Sequence, residues 1–278
     1  PSSATVGTRS TIEVAAQVPE NVPPTPDWNR LLEGRVAVVT GGGDGIGGAI
    51  SRLFARHGAR VEIAEIDAAR AERVVEEITS SGGRARAHVV DVTQADQVAR
   101  LADAVLSTHP HVHVLVNNVG DYRPLVRFRD SSPESWKAMY DINLFHVFAV
   151  TRAFLDSMIE HGGGSIVNLH SVEGLRGYPG DPVYGAMKAA VAAFTTDLAV
   201  AMGRHGIRVN GIAPTFIPTA INRETLKGAF KERLVGRTPL GRLGKPQDIV
   251  GTIIFLASDA SDFITGQIIP IDGGWLAG

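Results

Sequence analysis

From Arg35 onward the chain alternates between two hydrophobic patterns. Short, β-branched apolar runs recur at Arg35–Thr40, Arg60–Glu65, Ala85–Val90, Val112–Asn117, Ser165–His170, Arg208–Ile212 and Gln267–Ile271, and each predicts a strand. Between them, apolar residues fall at helical spacing over Ile46–His57, Ala68–Ser80, Gln94–Thr108, Pro133–Glu160, Val183–Arg204 and Pro246–Leu256. Strands that are apolar along their whole length have both faces buried, as in a parallel sheet covered by helices on its two sides. Right-handed crossovers then give an α/β, doubly wound, Rossmann-like fold with a parallel sheet of about seven strands flanked by helices on both faces. No second core and no repeat of solenoid length is visible, so residues 34–278 read as one domain. Residues 1–33 are different: Pro1, Pro19, Pro23, Pro24 and Pro26 stand among Ser, Thr and Asn with no sustained period, which reads as a partly disordered arm.

Composition narrows the function classes. With 44% apolar and 20% charged residues in 278, the chain has the make-up of a globular protein and not of a disordered one. A formal net charge of −2 supplies no basic field to recruit nucleic acid or anionic lipid. The absence of cysteine excludes disulfides, thiolate nucleophiles and thiolate metal sites, and is compatible with a reducing compartment. No run reaches the ~18 consecutive apolar residues of a membrane span, and Glu13 interrupts the apolar stretch Ile12–Val18, which reads against a signal peptide. The expectation is a soluble, cytoplasmic protein with a small-molecule substrate and neither a nucleic-acid nor a membrane partner.

The first strand runs directly into Thr40-Gly41-Gly42-Gly43-Asp44-Gly45-Ile46-Gly47, and a helix follows. Glycines let the backbone turn sharply and approach a pyrophosphate, while the helix N-terminus offers free N–H groups and positive partial charge. The strand–loop–helix context makes Gly41, Gly43, Asp44, Gly45, Ile46 and Gly47 a candidate nucleotide site. Glu65 ends the second strand roughly 20 residues further on, where a dinucleotide fold places the carboxylate that binds the adenosine ribose hydroxyls. A carboxylate there repels a 2′-phosphate and the loop carries no Arg or Lys, so NAD is favoured over NADP. Asp67 is a fallback for that role, although its position reads better as the cap of the next helix. Asp91 and Val92 close the third strand within reach of an adenine, and Asn117-Asn118-Val119-Gly120 closes the fourth.

Tyr184 and Lys188 are four apart and therefore share a helix face. The chain has only four tyrosines and five lysines, and Tyr184 alone among the tyrosines has a lysine at this spacing. Ser171 stands at the end of the fifth strand, just before the glycine-containing loop that leads to that helix.

These residues together resemble the short-chain dehydrogenase/reductase family over Leu32–Gly278. The resemblance is carried by the Thr40–Gly47 loop, Asn117–Gly120, Asn143, Ser171, Tyr184-Gly185-Ala186-Met187-Lys188 and the region of Pro214. It implies a proton-transferring Tyr184, a Lys188 that assists it and holds the nicotinamide ribose, a Ser171 bonded to the substrate oxygen, and an Asn143 that organises a water-linked proton path. It also implies coenzyme contacts from Asn118, Val119, Gly120, Pro214, Ile217 and Thr219. A lysine ammonium about 4 Å away at an effective dielectric of ~20 would offset the roughly 4 kcal/mol needed to ionise a tyrosine at neutral pH. Val119, His170, Met187 and Thr215 depart from the usual Ala, Ser, Ser and Gly, without removing a catalytic group.

The function so implied is NAD-dependent hydride transfer between nicotinamide and a secondary alcohol or ketone. The alternatives are an NADPH-dependent 3-oxoacyl-thioester reductase and a non-catalytic nucleotide-binding scaffold. Residues 216–240 lie where the family carries a mobile substrate lid, and Phe216, Ile217, Ile221, Leu226, Phe230 and Leu234 give it an apolar face suited to a hydrophobic substrate; Arg223, Lys227 and Arg233 fall on its wetter side. Family resemblance further implies a homotetramer or homodimer assembled through the long helices Pro133–Glu160 and Val183–Arg204, where Ala189, Ala190, Ala192 and Ala193 allow close approach. No metal is expected: His109, His111 and His113 lack a carboxylate at ligand spacing. His170 and Glu173, flanking Ser171, and Asp121, Tyr122 and Arg123 read equally well as pocket walls or as structure.

Overall fold

A computed structural model describes residues 26–220 and 222–278. Seven parallel strands lie in the order β3-β2-β1-β4-β5-β6-β7. They are β1 (Val36–Thr40), β2 (Arg60–Glu65), β3 (Arg84–Val89), β4 (Val114–Asn117), β5 (Gly164–Leu169), β6 (Ile207–Pro214) and β7 (Ile268–Ile271). The helices are α1 (Gly45–Arg56), α2 (Ala68–Ser80), α3 (Ala95–Leu106), α4 (Pro133–Tyr140), α5 (His146–Glu160), α6 (Pro182–Met202), α7 (Gly228–Arg237) and α8 (Pro246–Ala257). The chain reverses its winding between β1 and β4, which leaves a crevice at their carboxyl ends.

Alternate residues of each central strand feed two separate cores. Ala37 and Val39 of β1 pack with Ile50 and Phe54 of α1 and with Ile249 and Ile253 of α8. Val36 and Val38 point the other way, toward Leu101 and Val105 of α3 and Phe154 and Met158 of α5. Burial on both sides is why these strands are apolar throughout. The edge strand β3, Arg-Ala-Arg-Ala-His-Val, does not follow that rule, because only one neighbour covers it and charge blunts the free edge. Leu32 is buried in the α1 layer and its N–H donates to the His57 carbonyl at 3.0 Å, so that layer begins before Arg35. Residues 1–25, which make up most of the expected arm and include Ile12–Val18, lie outside the described residues, as does Ile221.

One buried charge stands inside the α3-side layer. Glu62, 4% exposed, is clasped between His88 and His109, with His109 Nε2 at 3.1 Å from its Oε1. His109 is thereby drawn to Glu62, whereas the rings of its sequence neighbours His111 and His113 lie 3.9 Å apart, tilted by 30°, beside Arg35 and Asp259.

The expected helix Pro133–Glu160 is broken by a π-helical turn, Asp141–Phe145, that joins α4 to α5. By length and mean hydropathy, Pro133–Glu160 and Pro182–His205 are each sufficient to cross a membrane. Both are sheet-covering helices here: α5 packs on α3, β4 and β5, and α6 packs on β6. Much of α6 nevertheless faces outward, with Val200 fully solvent-facing.

Candidate active site

The loop after β1 folds tightly because Gly41 (φ 62°) and Gly45 (φ 54°) adopt left-handed backbone that other residues avoid. Gly47 is required for a different reason: a Cβ there would lie 2.1 Å from the Gly41 carbonyl oxygen, so only glycine lets the first turn of α1 close against the loop. Asp44 caps α1, its carboxylate accepting from Gly45 N–H at 2.8 Å. Asn118, from the end of β4, braces the same loop by donating its side-chain amide to the Thr40 carbonyl at 2.9 Å. Glu65 is buried, and its Oε2 accepts from Gly43 N–H at 3.2 Å. Asp67, the fallback carboxylate, instead caps α2 by accepting from Arg70 N–H at 3.1 Å, as its position predicted.

Helix α6 begins two residues before Tyr184. Pro182 occupies its first turn, and buried Asp181 caps it by accepting from Tyr184 N–H at 3.1 Å. Lys188 follows one turn later, buried, with its Nζ donating to the Leu169 carbonyl at the end of β5 (3.1 Å) and lying 5.8 Å from the centre of the Tyr184 ring. Ser171 caps a short 3₁₀ turn, Val172–Gly174, its Oγ accepting from Glu173 N–H at 3.2 Å. That turn seats directly on α6, because a Cβ on Gly174 would come within 2.7 Å of the Lys188 backbone carbonyl carbon. The fit brings Ser171 beside Tyr184.

Asn143 sits in the π turn, fully buried. Its amide donates to the Asp121 carbonyl at 2.8 Å and to the Met139 carbonyl at 3.1 Å, while its Oδ1 accepts from Asp121 N–H at 3.1 Å. Gly120 is the shared neighbour of both polar groups: the position of its missing Cβ is 2.8 Å from Lys188 Nζ and 3.0 Å from Asn143 Oδ1. Asn143 is thus a buried polar residue that satisfies a helix irregularity and also stands next to the lysine.

Burial governs the electrostatics. It lowers the Lys188 ammonium to about 8. It also pushes the Tyr184 phenol well above its usual value; Glu173 adds to that rise, the Ser171 hydroxyl opposes it, and Asp121 and Asp181 add less. The sequence-based expectation that Lys188 offsets the cost of ionising Tyr184 is therefore not met by these side chains alone, since burial and then the nearby carboxyls act against it. His146 and His170 are each lowered to about 3 by burial and by Lys188, so both are neutral. His170 meets Thr195 Oγ1 at 3.2 Å, at the end of a buried polar chain running Thr151–Asn117–Asn168–Thr195.

A cleft of about 350 Å³ at the carboxyl edge of the sheet joins these parts. It is lined by Gly41, Asp44, Gly45, Ile46, Glu65, Asp91, Val92, Asn118, Val119 and Gly120 together with Ser171, Tyr184, Lys188, Pro214, Ile217 and Thr219. Of the residues singled out from sequence, Gly43, Gly47 and Asn143 stand behind the wall, not in it. His170, Glu173, Asp121 and Tyr122 prove to be pocket walls, whereas Arg123 is paired with Asp121 at 2.7 Å.

Arg70 was missed: it lines the Glu65 end of the cleft, and its place one turn into α2 gave no signal in sequence. The apolar face expected over residues 216–240 divides in two. Phe216, Leu226, Phe230 and Leu234 cluster with Val172 and Trp275, whereas Ile217 packs into the α1-side core. Arg223, Lys227 and Arg233 are exposed, as expected.

The glycine loop, helix terminus and Glu65 fit the pyrophosphate and ribose of a dinucleotide, with Tyr184, Ser171 and Lys188 lining the same cleft. Comparison with known proteins agrees. A family model described as enoyl-(acyl carrier protein) reductase matches residues 41–276. The 3-oxoacyl-[acyl-carrier-protein] reductase FabG of Thermotoga maritima is 41% identical over 245 residues, covering 87% of this chain and 98% of that protein. Among solved structures, a 7α-hydroxysteroid dehydrogenase complexed with NADH and 7-oxo glycochenodeoxycholic acid is 34% identical, with a TM-score of 0.85 over 88% of this chain and 96% of that one. A gluconate 5-dehydrogenase of Burkholderia cenocepacia in complex with NADP and tartrate is 35% identical, with a TM-score of 0.85 over 90% and 98% of the two chains. The chain belongs to the short-chain dehydrogenase/reductase family. It is an oxidoreductase acting at alcohol and ketone groups.

Proposed function

We propose that this protein transfers hydride between NAD and a secondary alcohol or its ketone, with an uncharged and largely apolar substrate. The observation that carries the reading is the meeting of Ser171, Tyr184 and Lys188 at one end of a cleft whose other end is closed by Glu65. Bound nicotinamide supplies the hydride acceptor or donor. In the oxidative direction Tyr184 Oη takes the carbinol proton as the C–H hydride departs, and in reduction it returns that proton to the carbonyl oxygen. Ser171 Oγ donates to the substrate oxygen and stabilises the charge that develops there. Lys188 Nζ holds the ribose hydroxyls and favours the phenolate, a task made heavier by Glu173. Asn143, held in the π turn, keeps the proton path from Lys188 in place. Phe216, Val172 and Tyr122 form the apolar substrate wall. The exposed apolar side chains of the α4–α5 and α6 surfaces, Tyr140, Phe148 and Val200, support a homo-oligomer, a tetramer or dimer.

A second reading has its own support. The identity to the Thermotoga 3-oxoacyl-thioester reductase and the presence of Arg70 at the ribose end favour an NADPH-dependent acyl-thioester reductase. Parallel fluorescence titrations with NADH and NADPH, followed by initial rates on secondary alcohols and on a 3-oxoacyl thioester, separate the two. Tighter NADH binding with alcohol turnover supports the first; tighter NADPH binding with thioester reduction replaces it.

A further inference from the structure

Glu173 stands two residues after Ser171 and lines the substrate half of the cleft. Its backbone is fixed on both sides: its N–H is bonded to Ser171 Oγ, and the following Gly174 is pressed against α6 at Lys188. The side chain is half-buried. Among the described residues, no hydrogen-bond donor and no cation meets its carboxyl. Of the two cations that line the cleft, Lys188 donates to the Leu169 carbonyl and Arg70, at the far end, pairs with Asp67 at 3.3 Å; neither is bonded to Glu173. Arg123, just outside, is held by Asp121. The ionisable groups that interact with Glu173 are Asp181, Tyr178 and Tyr184, none of which brings positive charge; Arg233 and Arg237 of α7 act on Tyr178 beyond them.

A carboxyl so placed is open to water until substrate arrives. A bound substrate expels that water, and the cost is recovered only if the substrate itself supplies a hydrogen-bond partner. An anion in the same position would meet the carboxyls of Glu173 and Asp181, an arrangement that opposes binding. We propose that Glu173 is a specificity-determining residue, whose carboxyl selects substrates presenting a neutral hydroxyl beside the reacting carbon and rejects those presenting an anion there. The proposal rests on the reading of this cleft as an alcohol/ketone site. Burial raises the carboxyl to about 7, so near neutrality it both donates to and accepts from such a hydroxyl, and turns into a pure acceptor as pH rises.

The test compares wild type with Glu173→Gln and Glu173→Ala on three probes: trans-cyclohexane-1,2-diol, 2-hydroxycyclohexanecarboxylate and, as the reference, cyclohexanol. Initial rates give kcat/KM for each probe relative to cyclohexanol. Calorimetry on the complex with whichever reduced coenzyme binds gives the corresponding affinities. Glu173→Gln should raise the relative value for the carboxylate by about tenfold, and Glu173→Ala should lower that for the diol by about tenfold. In wild type the preference for the diol over the carboxylate should strengthen as pH rises through 7, because the ionised carboxyl repels the anion and still accepts from the hydroxyl, a step that Glu173→Gln removes. The same preferences in all three proteins would overturn the assignment. Turnover of no probe, with an affinity preference that shifts in the variants, would sustain Glu173 as the selecting group while defeating the dehydrogenase reading.

Discussion

The carboxylate of Glu65 is tied to the glycine loop through Gly43, whose N–H donates to its Oε2 at 3.2 Å. Its other oxygen accepts from the N–H groups of Ile66 at 3.0 Å and Asp67 at 3.3 Å. The negative charge is therefore fixed in place at the end of β2 by three backbone donors, with no ordering left to be done when a ribose arrives. Replacing it tests the coenzyme assignment. Glu65→Ser should weaken NADH about tenfold and improve NADPH, read by fluorescence titration, because a ribose partner is lost and a repulsive charge removed. An unchanged NADH affinity would remove Glu65 from the site.

Gly47 offers a test of the loop itself. A methyl at this position cannot be placed against the Gly41 carbonyl without moving the loop or the first turn of α1. Gly47→Ala should abolish detectable coenzyme binding in the same titration and lower Tm. Wild-type affinity in this variant would mean that the loop does not hold the coenzyme.

The buried carboxyl of Glu173 has a signature in stability. Its folded value of about 7 lies above the ordinary 4.5, so the folded state retains a proton that the unfolded chain has lost, and stability falls as pH rises from about 4.5 to 7. His146 and His170, with folded values of about 3, act oppositely: the unfolded chain binds their protons first, and stability is lost as pH falls below 6.5. Comparison with Glu173→Gln isolates the carboxyl. The variant should gain up to about 3 kcal/mol on wild type between pH 4.5 and 7.5 in urea titrations. A difference that does not vary with pH would place Glu173 in ordinary solvent.

Glu62 is the corresponding test of the fold. Removing it leaves His88 and His109 facing each other beneath α3 without an acceptor. Glu62→Ala should destabilise by about 1–3 kcal/mol with coenzyme binding retained, measured by urea unfolding and titration. No loss of stability would show that water replaces the pair freely.

Most of this architecture was legible in sequence because it rests on local rules. Two-sided burial makes the strands apolar, and the glycine loop, Asp67 and the Tyr184–Lys188 spacing announce turns, caps and a shared helix face. What could not be read depends on packing across the sheet. The break at Asp141–Phe145 has no proline or glycine to mark it; it appears because Asn143 bonds to the Asp121 backbone, far away in sequence. The pairing of His109 with Glu62 crosses from one strand to a distant loop, so three adjacent histidines looked like one group. Arg70 reaches the cleft only because β2 and α2 turn it there. The rise of Tyr184 comes from burial, to which carboxyls at positions 173, 121 and 181 add, and no spacing reveals either.

In the proposed reaction Tyr184 handles the proton while Ser171 and Lys188 position substrate and coenzyme. The most direct test of this assignment is kcat for Tyr184→Phe on the best secondary alcohol found, together with coenzyme affinity for the same preparation. The account predicts that kcat falls by about 10²–10⁴ with the coenzyme still bound. Turnover at the wild-type rate would contradict it.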